Sequence, residues 1–264
     1  MPAPPPAAES ARDYRIEALA KGLRVLGLFS EQRPTLRLSD VAAETGLLMP
    51  TVYRVAMTLA SEGFLQQLPD GSYRPGQKVL TLGFSALAGL DLVAVATPEL
   101  HRLADDTGET VNLASLVEDN VLYLVRLRNA NLVTANIQVG STLPAVSTSI
   151  GKLLLAFLDP DELLRRITPA SFRATGPRAI GSLAELGVEL AKIRAAGVAV
   201  QDEELAYGLR SVAAPVRGAD GQVMAGINIA VNATEWTKAR IVRELSPRAV
   251  RSAQTVSRLL GFRG

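Results

Sequence analysis

The sequence of 264 residues contains no cysteine and a single histidine, His101. Without cysteine there are no disulfides and no thiolate ligands, and one histidine cannot build a multi-histidine site within one chain, so neither a metal centre nor a cofactor is expected. Long apolar runs are also missing. No stretch is long enough to span a bilayer, and the opening MPAPPPAAES lacks the basic flank and continuous apolar core of a signal peptide. The chain therefore reads as soluble and cytoplasmic, with residues 1–14 as a flexible arm. A large excess of one charge is absent too: the formal net charge is +2, too small for the field that drives nonspecific nucleic-acid binding. Any contact with nucleic acid has to rest on local placement.

What remains is an ordinary globular composition, 48% hydrophobic and 20% charged, at a length that suits one small and one medium domain. Apolar residues recur at helical spacing over residues 16–29 (Ile16, Leu19, Ala20, Leu23, Leu26, Phe29), which predicts an amphipathic helix. Ser39 then stands before Asp40 and Val41 as an N-cap, and Gly46 stops the short helix that follows. Pro50 suits the first turn of the next helix, which carries Val52, Val55, Ala56 and Leu59 on one face and ends at Gly63. Residues 64–67 and 72–74 flank Pro69, Asp70 and Gly71 as a small hairpin.

Helix, tight turn, helix and hairpin in this order form the pattern of a winged helix-turn-helix. Its candidate DNA-facing residues are Ser39, Met49, Thr51, Tyr53, Arg54 and Thr58, with Arg74 on the wing. Arg54 can donate two hydrogen bonds to guanine or pair with phosphate, Thr51 can meet a phosphate or a thymine methyl, and the Tyr53 hydroxyl can reach a phosphate. Charge adds little. Between residues 15 and 78, Arg15, Lys21, Arg24, Arg33, Arg37, Arg54, Arg74 and Lys78 stand against Glu17, Glu31, Asp40, Glu44, Glu62 and Asp70, a surplus of two. A structural or protein-binding trihelical module is the alternative.

Residues 78–90 read as a linker helix, and a further helical stretch from Asp91 to about Asp106 is expected to break near Pro98. Beyond Gly108 the pattern changes to strands at 110–117, 121–128, 132–139, 212–216 and 223–231, the last two around a Gly218–Gly221 turn. Helices are expected at 149–158, 183–195 and 247–260. Strands and helices do not alternate as βαβ units, so this half reads as an α+β domain with a largely antiparallel sheet.

Several segments resemble the IclR family of transcriptional regulators: AKGLRVLGLFS, LSDVAAETGL, TVYRVAMTL and SEGFLQQLPDGSYRPGQKVLTLG in the first third, then LPAVSTSIGKLLLA, GVAVQDEELAYGLRSVAAPV and GQVMAGINIAV. The resemblance runs from about Ala20 to Leu260. It implies a winged helix-turn-helix over 15–77, a linker helix over 78–91 and a GAF-like effector-binding domain over 92–264, with double-stranded DNA and a small organic acid as partners. It also implies a homodimer or a dimer of dimers. The GLRSVAAP and INIAV runs are most similar to the subgroup that regulates catabolism of protocatechuate, para-hydroxybenzoate or β-ketoadipate. Two departures fall in the recognition helix, where Pro50 replaces a common serine and Met49 a nearby Lys or Arg.

The family's pattern places the ligand pocket at Ser147, Thr148, Ser149, Ile150, Gln201, Asp202, Glu203, Ser211, Asn228 and Ala230. The residues themselves give partial support. Three hydroxyls precede a helix, where free N–H groups receive a carboxylate. Asn228 interrupts an apolar strand, as a ligand contact or as an amide paired with the backbone. Gln201 and Ser211 are neutral where some relatives carry an acid and a cysteine, which makes glyoxylate or pyruvate less expected than an aromatic acid. Arg126 and Arg210 are candidate counter-charges, although a surface ion pair is the commoner role. Tyr123 and Tyr207 are candidates for stacking on a ring.

An enzyme is the rival class. Asp202, Glu203 and Glu204 cluster carboxylates without a nearby histidine and read as a solvated turn. Gly151-Lys152 lacks the earlier glycine of a phosphate-binding loop. No catalytic residue is assigned. A ligand-independent architectural DNA binder is the third class.

Overall fold

The computed structural model describes residues 15–30, 33–88, 91–128, 137–172 and 175–263. The expected arm and most of the expected strand at 132–139 lie outside them. The chain divides into two compact units, 1–86 and 87–264, each described by itself.

In the first unit, α1 (Glu17–Leu26), α2 (Leu38–Thr45) and α3 (Met49–Ser61) pack around Val25, Val41, Val52 and Ala56. Gly46 ends α2 in the left-handed region at φ 68°, where a side chain would be strained, and its N–H returns to the Ala42 carbonyl. The start of α2 differs from expectation. Its N-cap is Arg37, because the Asp40 carboxylate reaches back to the Arg37 N–H at 3.2 Å, and Ser39 falls inside the first turn. Pro50 does sit in the first turn of α3. The wing pairs β1 (Leu65–Gln67) with β2 (Tyr73–Pro75), and an isolated bridge from Leu36 to Tyr73 ties the approach to α2 onto it. α4 (Gln77–Ala88) follows.

The second unit is a six-stranded antiparallel sheet in the order β5-β4-β3-β8-β7-β6. Its strands are β3 (Thr110–Val117), β4 (Asn120–Leu127), β5 (Thr142–Pro144), β6 (Ala199–Asp202), β7 (Leu209–Arg217) and β8 (Val223–Asn232). Period-two alternation divides it cleanly. Val111, Leu113, Ile227 and Ile229 face α5 (Asp91–Thr107) and α10 (Ser246–Leu259), which contribute Leu100 and Val256 to one core. The opposite face meets α6 (Ser149–Ala156) and α8 (Leu183–Ala196), with Ile150, Leu153, Leu186 and Leu190 in a second core. Side chains of this size contribute roughly 1.5–3 kcal/mol each on full burial, so two such layers suffice to hold the sheet between them. α7 (Pro160–Arg166) lies between α6 and α8 in sequence, and α9 (Lys238–Arg240) joins α10 through a π turn at Ile241–Leu245.

Helix α5 runs through Pro98 without the expected break. Proline removes only the bond to the Ala94 carbonyl, and both residues are exposed, so water can take that carbonyl. Strands β5 and β6 and helix α7 were not expected. The strands are three and four residues long, too short for periodicity to register.

Two glycines allow close packing around α6, Gly226 beneath it on β8 and Gly151 against the turn that precedes it. A Cβ on Gly226 of β8 would lie 2.9 Å from the Ile150 Cγ2, and one on Gly151 would lie 2.2 Å from the Ala145 carbonyl oxygen. The first neighbour is the branch methyl of a buried isoleucine, which can give only by a small shift of α6; the second is backbone that cannot give at all. Gly151→Ala is expected to destabilise the second unit by about 3 kcal/mol, the upper end of overpacking costs. That lowers its thermal midpoint by roughly 6–12 °C. Gly226→Ala is expected to cost less. Equal midpoints for wild type and Gly151→Ala would contradict the close approach.

Candidate functional site

On α3, Val52 and Ala56 are buried, and the opposite side presents Pro50, Tyr53, Arg54 and Met57 to solvent. Met49 and Tyr53 are about half exposed, at 48% and 54%, while Thr51 is partly buried at the margin of the face. The Thr58 hydroxyl donates to the Arg54 carbonyl at 2.8 Å, inside the helix. On the wing, Arg74 donates from Nε and Nη2 to Gln66 Oε1 at 3.0 and 2.9 Å, a fork that holds its guanidinium beside β1. Ser39 is exposed. The same unit has an apolar groove of about 740 Å³ walled by Leu19, Leu23 and Leu26 of α1, Val55 and Leu59 of α3, and Val79 and Leu82 of α4.

In the second unit a cavity of about 20 Å³ is lined by Asn112, Tyr123, Arg126, Ile137, Thr148, Gln201, Leu205, Leu209, Ser211, Asn228 and Ala230. Strand register explains its polar wall. Arg126, Asn112 and Asn228 are direct cross-strand partners on β4, β3 and β8; Gln201, Ser211 and Ala230 are direct partners on β6, β7 and β8. The two rows are joined by a continuous chain of hydrogen bonds. Arg126 Nη1 donates to Asn112 Oδ1 (3.1 Å), and Asn112 Nδ2 donates to Asn228 Oδ1 (2.7 Å). Asn228 Nδ2 then donates to Ser149 Oγ (3.2 Å), the Ser149 and Ser211 hydroxyls meet at 2.7 Å, and Ser211 donates to Gln201 Oε1 at 3.4 Å. Either hydroxyl of the serine pair can be the donor. Gln201 Nε2 is buried with no acceptor among the described residues. Such a wall offers a polar carboxamide at its Gln201 end.

Electrostatics follow from burial. Arg126 is the charged residue among those lining the cavity, and desolvation lowers its affinity for the proton while the neighbouring Tyr123 opposes that. Burial pushes the Tyr123 hydroxyl up to about 12, so it stays neutral. Beside the cavity, Lys152 is fully buried on α6. Its Nζ meets Glu204 Oε1 at 2.6 Å, the Val200 carbonyl at 3.0 Å and Glu189 at 3.5 Å. Burial raises the Glu204 carboxyl above its ordinary value, and the charge of Lys152 offsets this only in part. Asp202 is the reverse case. Burial opposes its ionisation, but the hydrogen bond and charge of Arg210, with help from Arg178, hold it below the ordinary value.

These positions sort the expected pocket residues. Arg126, Thr148, Gln201, Ser211, Asn228 and Ala230 line the cavity. Ser149 belongs to the hydrogen-bond chain behind it, while Ser147 and Ile150 are buried and outside the lining. Asp202 and Glu203 point to Arg178 and Arg210 rather than into the cavity, so the carboxylate run is an ion-paired junction and not a solvated turn. Asn228 pairs with side chains, not with the backbone. Tyr207 is 88% exposed and far from stacking geometry inside a pocket. Sequence reasoning missed Asn112, though it interrupts an apolar strand just as Asn228 does. It also missed Leu205, which nothing in its neighbourhood distinguishes. Among the described residues there is no cluster of His, Asp or Glu able to hold a metal ion, and no helix long and apolar enough to cross a membrane.

Comparison with known proteins matches residues 18–69 to the IclR helix-turn-helix domain and residues 84–258 to the bacterial transcriptional regulator IclR C-terminal domain. The chain is 33% identical over 232 residues to the Pca regulon regulatory protein of Pseudomonas putida, covering 87% of this chain and 79% of that one. A crystal structure of an IclR family transcriptional regulator from Brucella abortus is similar with a TM-score of 0.81 at 27% identity, covering 96% of this chain and 95% of that one. An IclR homologue from Microbacterium hydrocarbonoxydans, solved in complex with 4-hydroxybenzoate, is similar with a TM-score of 0.76 at 25% identity, covering 92% and 98%.

The Asp202 pairing has a pH signature. Its carboxyl titrates below the ordinary 3.8, so its stabilisation is complete above that value and is lost as pH falls through the depressed one. Asp202→Asn is expected to cost about 1.5–3 kcal/mol at neutral pH, the range for a charge-assisted bond. The gap to wild type should close once both side chains are neutral, well below pH 3.8. Urea midpoints at the two extremes test this, and a gap independent of pH would exclude the ion pair as its source.

Proposed function

The chain belongs to the IclR family of bacterial DNA-binding transcriptional regulators, and from that premise we propose that its effector domain responds to an aromatic acid or to a catabolic intermediate of one. The observation that carries this reading is the cavity wall, in which Arg126 supplies positive charge and Asn112, Ser211, Gln201 and Asn228 supply neutral polar groups. A carboxylate is favoured by that charge, and a ring hydroxyl or keto group finds partners on the amides and hydroxyls. The likeness to a regulator of the Pca regulon and to a homologue holding 4-hydroxybenzoate supports the same chemistry.

In this reading residues 15–77 address a double-stranded operator, 78–91 link, and 92–264 receive the ligand. Arg54 and Tyr53 on the exposed side of α3 address bases and phosphates, with Met49, Thr51 and Thr58 at its margins. Ser39 and Arg74 flank them on α2 and the wing. Two copies pair mainly through their N-terminal regions, as a dimer or a dimer of dimers, so that two α3 helices meet successive major grooves. Ligand shifts the balance between two arrangements in proportion to its preference for one of them.

Arg54→Ala is expected to weaken operator binding by about 1–3 kcal/mol with the thermal transition unchanged, as read by gel retardation and melting of the same samples. Undiminished retardation would remove Arg54 from the interface. 4-Hydroxybenzoate is expected to raise the melting temperature in a concentration-dependent way, reaching about 2.7 kcal/mol of stabilisation at a hundredfold excess over Kd. In Arg126→Met that rise should disappear. An equal rise in both proteins would show that Arg126 is not the counter-charge.

A further inference from the structure

The cavity at about 20 Å³ admits about one water molecule, so any ring-bearing acid requires part of the wall to move. Most of the wall is fixed. Asn112, Tyr123, Arg126, Gln201, Ser211 and Asn228 lie on strands of the central ladder, and Thr148 caps α6, whose residues are all buried. Ile137 stands three residues before Gly140, whose N–H is held by the Tyr123 carbonyl at 2.8 Å.

Leu205 is different. It lies on the loop between β6 and β7 and packs with Ala206, Leu209 and Ala230 in a small cluster outside both cores of the sheet. The backbone N–H groups of 205–207 make no hydrogen bond among the described residues. Their flanks, by contrast, are held. Glu203 N–H donates to the Leu209 carbonyl (2.9 Å), Gly208 N–H to Glu203 Oε1 (2.9 Å), Thr175 Oγ1 to the Glu204 carbonyl (3.0 Å) and Lys152 Nζ to Glu204 Oε1 (2.6 Å). Glu203 and Gly208 are both left-handed, at φ 56° and 76°, and so mark sharp turns at the two ends. Between two fixed posts thus hangs a stretch of chain with one backbone bond among the described residues, which the Ala206 carbonyl accepts from the Leu209 N–H at 3.3 Å; it has an apolar side chain inward and Tyr207 outward.

We infer that residues 205–207 are the gate of this cavity and that Leu205 sets the size of the ligand it admits. The gate swings between the Glu203–Glu204 post, clamped by Lys152, and Gly208. Because Leu205 belongs to neither core, its displacement leaves the sheet and α6 packed. This inference rests on reading the cavity as a ligand site, yet opening of the gate itself needs no ligand.

The absence of cysteine allows a direct test on the full-length protein. A thiol placed on the wall by Ser211→Cys is expected to react slowly with an aromatic disulfide reagent, and about tenfold faster when Leu205→Ala is added. Leu164→Cys, on exposed α7, should react at one rate in both backgrounds. If Ser211→Cys does not fold, Ala230→Cys on the adjoining strand takes its place. Leu205→Ala should also let a two-ring hydroxynaphthoate raise the melting temperature where the parent protein shows no rise. A wall thiol whose rate ignores Leu205→Ala would overturn the gate. Acceleration without protection of the thiol by 4-hydroxybenzoate or other organic acids would leave the gate standing and sink the acid reading.

Discussion

Helix α6 lies against the sheet because Gly226 has no side chain, and much of the effector domain depends on that contact. At this depth Ser149 drops between Asn228 and Ser211 and joins two polar rows that the strand register leaves two residues apart on β8. One turn further along, Lys152 is carried below the surface, where its ammonium needs the Glu204 carboxylate and the Val200 carbonyl. Burying such a pair is costly, and removing one partner is costlier still, so the helix and the chain leaving β6 are obliged to stay together. One steric allowance therefore positions the cavity wall and the post of its gate.

The polar wall also shows how a sheet builds a binding site from ordinary alternation. The face of β3 and β8 that looks toward α6 carries Asn112, Asn228 and Ala230, while the other face sends Val111, Leu113, Ile227 and Ile229 into the α5–α10 core. Polarity is concentrated where two central strands meet. In a hydrophobic sandwich such amides are tolerable only when paired, and here each uses the other.

How much of this was legible in the sequence depended on the length of the pattern. Long periodic segments such as α8 and α10 declare themselves, and the helix-turn-helix is marked by Gly46 and Pro50 at positions only certain residues favour. The hairpin of β7 and β8 is visible in Gly218 to Gly221. Strands of three or four residues that no such turn joins into a hairpin are not. β6 reads as AVQD, whose buried Gln201 looks polar and exposed until its neighbour Ser211 is known. The capping role passed from Ser39 to Arg37 because a side chain three residues ahead, Asp40, competed for it. Of the cavity, Asn228 was conspicuous as an amide in an apolar run, and Asn112 gives the same signal. Lys152 stands in SIGKLLLA as a lone charge among apolar residues, but only the fold reveals that it is buried against a carboxylate fifty-two positions away.

The first part of the hydrogen-bond chain across the wall has a direction, and one residue alone fixes it. A guanidinium has no lone pair to accept with, so Arg126 can only donate. That turns the Asn112 oxygen toward it, which sends the Asn112 nitrogen toward Asn228 and the Asn228 nitrogen toward Ser149. Neither asparagine can flip without setting two donors or two acceptors face to face. Beyond Asn228 the direction is released, because a hydroxyl both donates and accepts: Ser149 and Ser211 can pass their shared proton either way, and the Gln201 carboxamide can turn with them. A ligand atom arriving at the asparagines meets an orientation fixed by a cation on β4, while one arriving at Gln201 meets an amide free to present either face.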